Sequence, residues 1–188
     1  QVGTLPEVQG KLRVWYNPEL KSVNFMVPGI LCMILLIVTM MMTSMAIVRE
    51  KEIGTLEQLV VTPITSGELM IGKTIPFLLL GMADMIIVLV VSVLVFDVAV
   101  AGSAALLILL TVVFLFTTLG LGIFISTISQ TQQEAMMTGF FFMLPQVLLS
   151  GFMFPIENMP EIVQWLTYGI PMRYFLVIIR GIFLKGVG

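Results

Sequence analysis

Four stretches of this sequence are long, apolar and almost free of charge, and they constrain the fold more than any other feature. The first runs from Phe25 to Val48. The second runs over about 70–96, its most apolar part from Thr74 to Phe96, and holds a single carboxylate, Asp84. The third spans 104–128 and the fourth 135–154. Each approaches or exceeds the roughly 20 helical residues that cross a ~30 Å hydrocarbon layer. Backbone groups in lipid must be satisfied within the segment or a closed barrel, and these runs lack the strict alternation of barrel strands, so helices are expected. The composition agrees: 59% hydrophobic and 11% charged residues, with a mean hydropathy of +1.11. Soluble domains have roughly 45–50% apolar and 25% charged residues. The expected fold class is therefore an all-α membrane protein, a bundle of four transmembrane helices whose sequence neighbours run antiparallel.

Several function classes drop out at once. The net charge is −2 and the basic residues form no patch, so no nucleic-acid surface is expected. The absence of histidine removes His-based zinc sites and His general bases, and no metal site is expected. Cys32 is alone inside an apolar run and reads as a small hydrophobe.

"GELMIGKT", Gly67 to Thr74, matches G-x-x-x-x-G-K-[ST], the pattern of a phosphate-cradling loop. Its context argues against that role. Glu68 to Ile71 are bulky helix formers, Pro76 follows closely, and the only imitation of a second nucleotide motif, the run ending at Asp97, lies across a span from Lys73. The expected reading is a helix start with a lysine snorkelling to the membrane edge. Ser66 and Gly67 are its expected cap.

Between the first two spans, "VREKEIGTLEQLVVTPIT" places Arg49, Glu50, Lys51, Glu52 and Glu57 beyond the membrane. Ile53, Leu56, Leu59 and Val60 recur at helical spacing, which predicts a short amphipathic helix over 49–61 that ends where Pro63 restricts Thr62. Such a helix either fills a groove on a partner or lies on lipid. Gly54 and Thr55 permit close backbone approach.

This segment resembles the E-[KR]-E-x-G-T-x-E-x-L signature of permease subunits of type 2 ABC exporters, the multidrug-exporter-like branch. "LGLGIFISTISQTQQEAM" (Leu119 to Met137), "LPQVLLSGFMFPIENMP" (Leu144 to Pro160) and "YGIPMRYFLVIIRGIFLKG" (Tyr168 to Gly186) are similar to later parts of that family, in order. The resemblance implies a six-helix permease of which helices two to five are present. Residues 1–22 then end an extracytoplasmic domain, and 23–188 form the transmembrane domain. It also implies that 49–61 is a cytoplasmic coupling helix docking on a separate ABC ATPase through Arg49, Glu50, Lys51, Glu52, Ile53, Gly54, Thr55, Leu56, Glu57 and Leu59. ATP and magnesium would be used by that partner, with no cofactor held by this chain and no covalent chemistry of its own. A second permease, identical or related, would complete the pathway in the cytoplasmic (inner) membrane of a bacterium. Basic residues do not settle the orientation, because Arg49, Lys51 and Lys73 on one side are balanced by Lys21, Arg173, Arg180 and Lys185 on the other.

Inside the spans, Asp84 stands either as a pathway residue for a cation or drug or as a protonated helix–helix contact. Gln146, Thr117, Thr118 and Ser126 are expected as polar glue, Gly120 and Gly122 as close-packing positions, and the fifteen methionines as adaptable filler. After the fourth span, Ser150, Gly151 and Pro155 break the helix into an outer re-entrant elbow over 155–185. There Arg173 and Arg180 share one face of an interfacial helix and either meet lipid phosphates or anchor it. Two other classes stand beside the exporter. A secondary transporter or channel would show more intramembrane charge or internal repeats. An intramembrane enzyme would need convergent catalytic groups that one aspartate does not supply.

Overall fold

The computed structural model describes residues 22–54, 65–96 and 102–185, and all regular structure among them is helical. Six α-helices follow in order: α1 (Ser22–Ile53), α2 (Ser66–Leu94), α3 (Ala104–Ile128), α4 (Gln132–Leu149), α5 (Glu161–Thr167) and α6 (Pro171–Lys185), with a 3-10 turn at Ile156–Asn158. The extracytoplasmic segment expected at 1–22 lies outside the described residues except for its last residue.

Three of these helices, α1, α2 and α3, are individually long and apolar enough to cross a membrane. The expected third span coincides with α3, which starts where the Ser103 hydroxyl accepts the amide of Leu106. The fourth is shorter than expected. Helix α4 ends at Leu149 and not at Phe154, because Gly151 adopts a left-handed φ of +84° that an ordinary helix cannot continue through. Its 18 residues rise about 27 Å, and its first turn is polar.

Helix α1 is the hub, packing against α2, α3, α4 and α6. Its Leu31, Leu35 and Leu36 meet Met85 of α2, Leu107 and Leu115 of α3, Val147 of α4 and a whole face of α6. Small residues allow this closeness. A Cβ built on Gly122 of α3 would lie 2.8 Å from the Met40 carbonyl oxygen and 2.9 Å from Thr43 Cβ, so the two backbones touch there without a side chain between them. Gly120, expected to act likewise, faces open space. Of the expected polar glue, only Thr118 is seen bridging helices: the Thr39 hydroxyl donates to it at 2.8 Å. Thr117 and Ser126 donate back to carbonyls of their own helix, and Gln146 Oε1 is buried without a partner.

The elbow has the bend expected of a re-entrant arrangement, and its last helix is packed more closely than an interfacial helix requires. Helices α5 and α6 meet at 79°, a broken span or re-entrant arrangement. One face of α6 packs into the bundle: Met172, Phe175, Leu176, Ile179, Ile182 and Phe183 are buried in the core, and Phe175 stacks on Phe114 at 4.1 Å between centroids. Lipid and protein both accept an apolar stripe, and here α1 and α3 supply the covering surface.

Candidate functional site

The ends of α1, α2, α3 and α4 that share one side of the bundle form a polar cluster, and its centre is the last turn of α1. Sequence reading begins a new helix near Arg49. The structure instead continues α1 without a break through Arg49, Glu50, Lys51, Glu52 and Ile53, and ends it at Gly54. Gly54 has φ +82°, and its N–H donates to the Lys51 carbonyl at 3.2 Å. This left-handed residue closes the helix as C-terminal glycines commonly do, so Gly54 serves as a stop signal. Thr55, Leu56, Glu57 and Leu59 lie outside the described residues.

Three consecutive side chains of that turn reach three different helices. Glu50 pairs with Lys73 of α2, whose side chain is only 16% exposed. Lys51 Nζ donates to the Ser129 carbonyl at 3.0 Å. Ser129 is the C-cap of α3, so a cation sits at the negative end of that helix dipole. Glu52 accepts from Gln132 Nε2, at the first turn of α4, at 2.8 Å. The bonds span 23, 78 and 80 residues of sequence. A cavity of about 360 Å³ opens beside them, lined by Met42, Met45, Ala46, Arg49, Glu50 and Gln132.

The helices meeting this turn are firmly started. Thr65, and not Ser66 or Gly67, caps α2: its hydroxyl accepts the Glu68 amide at 3.4 Å, while the Glu68 carboxylate accepts the Thr65 N–H at 2.9 Å. That reciprocal box satisfies two donors the helix would otherwise leave open. Thr131 caps α4 by accepting the Glu134 amide, and Glu134 accepts the Gln130 N–H at 2.7 Å. Gly67 to Thr74 is helix throughout. Its backbone amides are not arranged as a phosphate-wrapping loop, and Lys73 is committed to Glu50 in place of free snorkelling. Asp97 lies outside the described residues.

The remaining candidates sit elsewhere. Asp84 is deep in α2, on a groove shared with α1 that Gln146 does not line. In the elbow, the Ser150 hydroxyl donates to the Val147 carbonyl at 2.9 Å and accepts the Phe152 N–H at 3.2 Å. Pro155 opens the 3-10 turn. Arg173 donates to the Thr167 hydroxyl and lies 4.4 Å from the centre of the Tyr168 ring. Arg180 Nη1 reaches the Gly151 carbonyl at 3.4 Å. Both arginines are thus engaged within the elbow.

This helical bundle, with its helix ends tied at one side, can be set against known proteins. The profile of the family described as ABC-2 type transporter matches residues 10–184. The chain belongs to the ABC-2 type transporter family. It is 41% identical over 174 residues to the probable multidrug ABC transporter permease YbhR of Escherichia coli K12, covering 93% of this chain and 47% of that protein. It is 39% identical over 185 residues to the probable multidrug ABC transporter permease YbhS of the same strain, covering 96% and 48%. A more distant relative, the inner membrane transport permease YhhJ, is 32% identical over 187 residues, covering 97% and 49%. The chain thus spans about half the length of the curated relatives it matches. No solved structure matches it.

Within this ABC-2 type transporter chain, Lys73, Ser129 and Gln132 are the participants that sequence reading missed. A signal was present. Antiparallel spans bring the segment after the third span to the same side as the segment after the first, which places "SQTQQE" beside "REKE".

Proposed function

We propose that this chain is the membrane-embedded part of a permease subunit of an ATP-driven ABC exporter, and that the last turn of α1 passes the closure of a separate ATPase subunit to the bundle. The observation that carries the coupling is the triple tie of Glu50, Lys51 and Glu52 to α2, the α3 end and α4. A partner bearing on the residues after Gly54 would move the end of α1, and these ties would carry that displacement to three other helices together. The coupling segment proposed over 49–61 would then join the end of α1 to Thr55, Leu56, Glu57 and Leu59, which lie outside the described residues.

The family and the names of its relatives support a transport role in a bacterial inner membrane beside an ABC ATPase; to this the proposal adds that the ATPase binds ATP and magnesium, that a second permease, identical or related, completes the pathway among surrounding lipid, and that the Gly54 end faces the cytoplasm. The cargo is an amphiphilic or drug-like molecule, in keeping with apolar helix surfaces such as Leu79, Ile86 and Val90 of α2. No covalent chemistry falls to this chain.

The test is reconstitution of the full-length permease with its ATPase in sealed vesicles. Stoichiometric copurification and ATP-dependent export are expected, and Glu52→Arg or Gly54→Trp should keep membrane insertion and ATP hydrolysis while abolishing export. Flux that continues without ATP or partner would replace the exporter reading with a secondary carrier.

A further inference from the structure

Asp84 stands apart from the helix-end cluster, eleven residues along α2 from Lys73. At ~1.5 Å per residue that is about 16 Å, half of a ~30 Å hydrocarbon layer. A carboxylate at that depth costs a few kcal/mol unless something compensates it. The helices packed on α2 are α1 and α3, and neither Phe25 to Val48 nor Ala104 to Ile128 contains a charged residue. The nearby hydroxyl of Thr39 is also committed, since its proton is directed to the Leu35 carbonyl or to Thr118. Asp84 Oδ2 is enclosed and has no hydrogen-bond partner among the described residues.

The same carboxylate borders a groove of about 260 Å³ between α1 and α2, whose polar content is otherwise nearly nil. Val38 and Met42 form one wall, and Phe77, Leu80 and Ile87 form the other. A carboxyl group on an apolar groove with no opposite charge near it selects its ligand by chemistry, because its charged form needs a cation beside it. An anion is repelled, and a neutral hydrocarbon fills the groove but leaves the carboxylate uncompensated. A small hydrated cation cannot use the walls. An organic cation with an apolar body satisfies both parts, and a thioether such as that of Met42 adapts to varied shapes.

We propose that the α1–α2 groove is a mid-membrane binding site for amphiphilic organic cations, with Asp84 holding a protonated amine or quaternary centre and the apolar body lying against Val38, Met42 and Leu80. The site sits between the two helices whose ends are joined by Glu50 and Lys73, so a shift of the α1 end changes the width of the groove. That the bound cation is cargo rests on the exporter reading. That it binds does not.

Tetraphenylphosphonium and tetraphenylborate, which have nearly the same shape and opposite charge, separate charge recognition from apolar partition. Binding is measured by equilibrium dialysis on the full-length permease assembled with its ATPase in lipid nanodiscs, without nucleotide. Saturable tetraphenylphosphonium binding is expected, weakened tenfold or more by Asp84→Asn and largely kept by Asp84→Glu, whereas tetraphenylborate, dialysed in separate samples, should show no saturable binding in the groove. Leu80→Trp, which fills the groove and leaves the carboxylate in place, should weaken tetraphenylphosphonium binding as well. The proposal is overturned if the wild type shows no saturable tetraphenylphosphonium binding, if Asp84→Asn binds it equally well, or if tetraphenylborate alone binds saturably in the same groove, judged by its loss in Leu80→Trp. It is also overturned if Asp84→Asn dissociates the assembled complex, since the carboxylate would then be a helix contact. Because no ATP is present, failure of ATP-driven export leaves the site standing, and export with Asp84-independent binding removes only the site.

Discussion

Replacing Gly122 by alanine tests the α1–α3 seam along which any movement of the α1 end must travel. The added Cβ would meet the Met40 carbonyl oxygen at 2.8 Å and Thr43 Cβ at 2.9 Å, against an ordinary contact of 3.4 Å or more. Backbone cannot rotate aside as a flexible side chain does, so the helices must part by about half an ångström over that turn. Overpacking of this kind costs roughly 1–3 kcal/mol. Alanine recovers about 0.4–1 kcal/mol by restricting the unfolded chain, which leaves a net loss centred on about 1–1.5 kcal/mol within a range of about 0–2.6. For a chain of this size the central value is a fall in Tm of roughly 2–6 °C. Gly120→Ala is the control, since a Cβ there meets nothing within 4 Å, and it should leave Tm unchanged or slightly raised. Both are read from thermal unfolding of the detergent-solubilised full-length permease. Equal shifts for the two variants would refute the close-contact argument.

Thr65→Ala removes the hydroxyl half of the capping box on α2 and keeps the backbone N–H that donates to Glu68, and should cost about 1 kcal/mol; hydrogen exchange at the amide of Glu68 should speed up while the centre of α2 stays protected. Lys73→Ala should leave nucleotide binding by the assembled complex unchanged, measured by filter binding of labelled ATP, whereas a true phosphate loop at Gly67 to Thr74 would lose it. Lys51→Ala withdraws the donor from the Ser129 carbonyl and should lower Tm by a few degrees, with Lys51→Arg keeping most of the stability.

Three of the four expected spans were legible because hydrocarbon thickness dictates their length, and α3 coincides with the stretch expected over 104–128, where the Ser103 hydroxyl caps its start. The end of α1 was misread for a physical reason. Charges at Arg49 to Glu52 mark where the hydrocarbon stops, but arginine, glutamate and lysine are good helix formers, so the helix runs on until Gly54 supplies a left-handed stop. The site was half legible. "REKE" was singled out, yet its partners Lys73, Ser129 and Gln132 are fixed by tertiary packing, and only the alternation of spans pointed to them. The stripe of α6 from Met172 to Phe183 was visible, but hydropathy cannot say whether protein or lipid covers it.

The central claim is that the last turn of α1 drives the other helices through its ion pair and hydrogen bonds, and a charge exchange at Glu50 and Lys73 tests it most directly. ATP-driven export is measured in sealed vesicles for Glu50→Lys, Lys73→Glu and the double exchange, with ATP hydrolysis followed in parallel. The account predicts that each single change places like charges together and abolishes most export while hydrolysis continues, and that the double exchange restores a large part of it. Export by both single variants at the wild-type rate, or a double exchange as inactive as the singles, would contradict it.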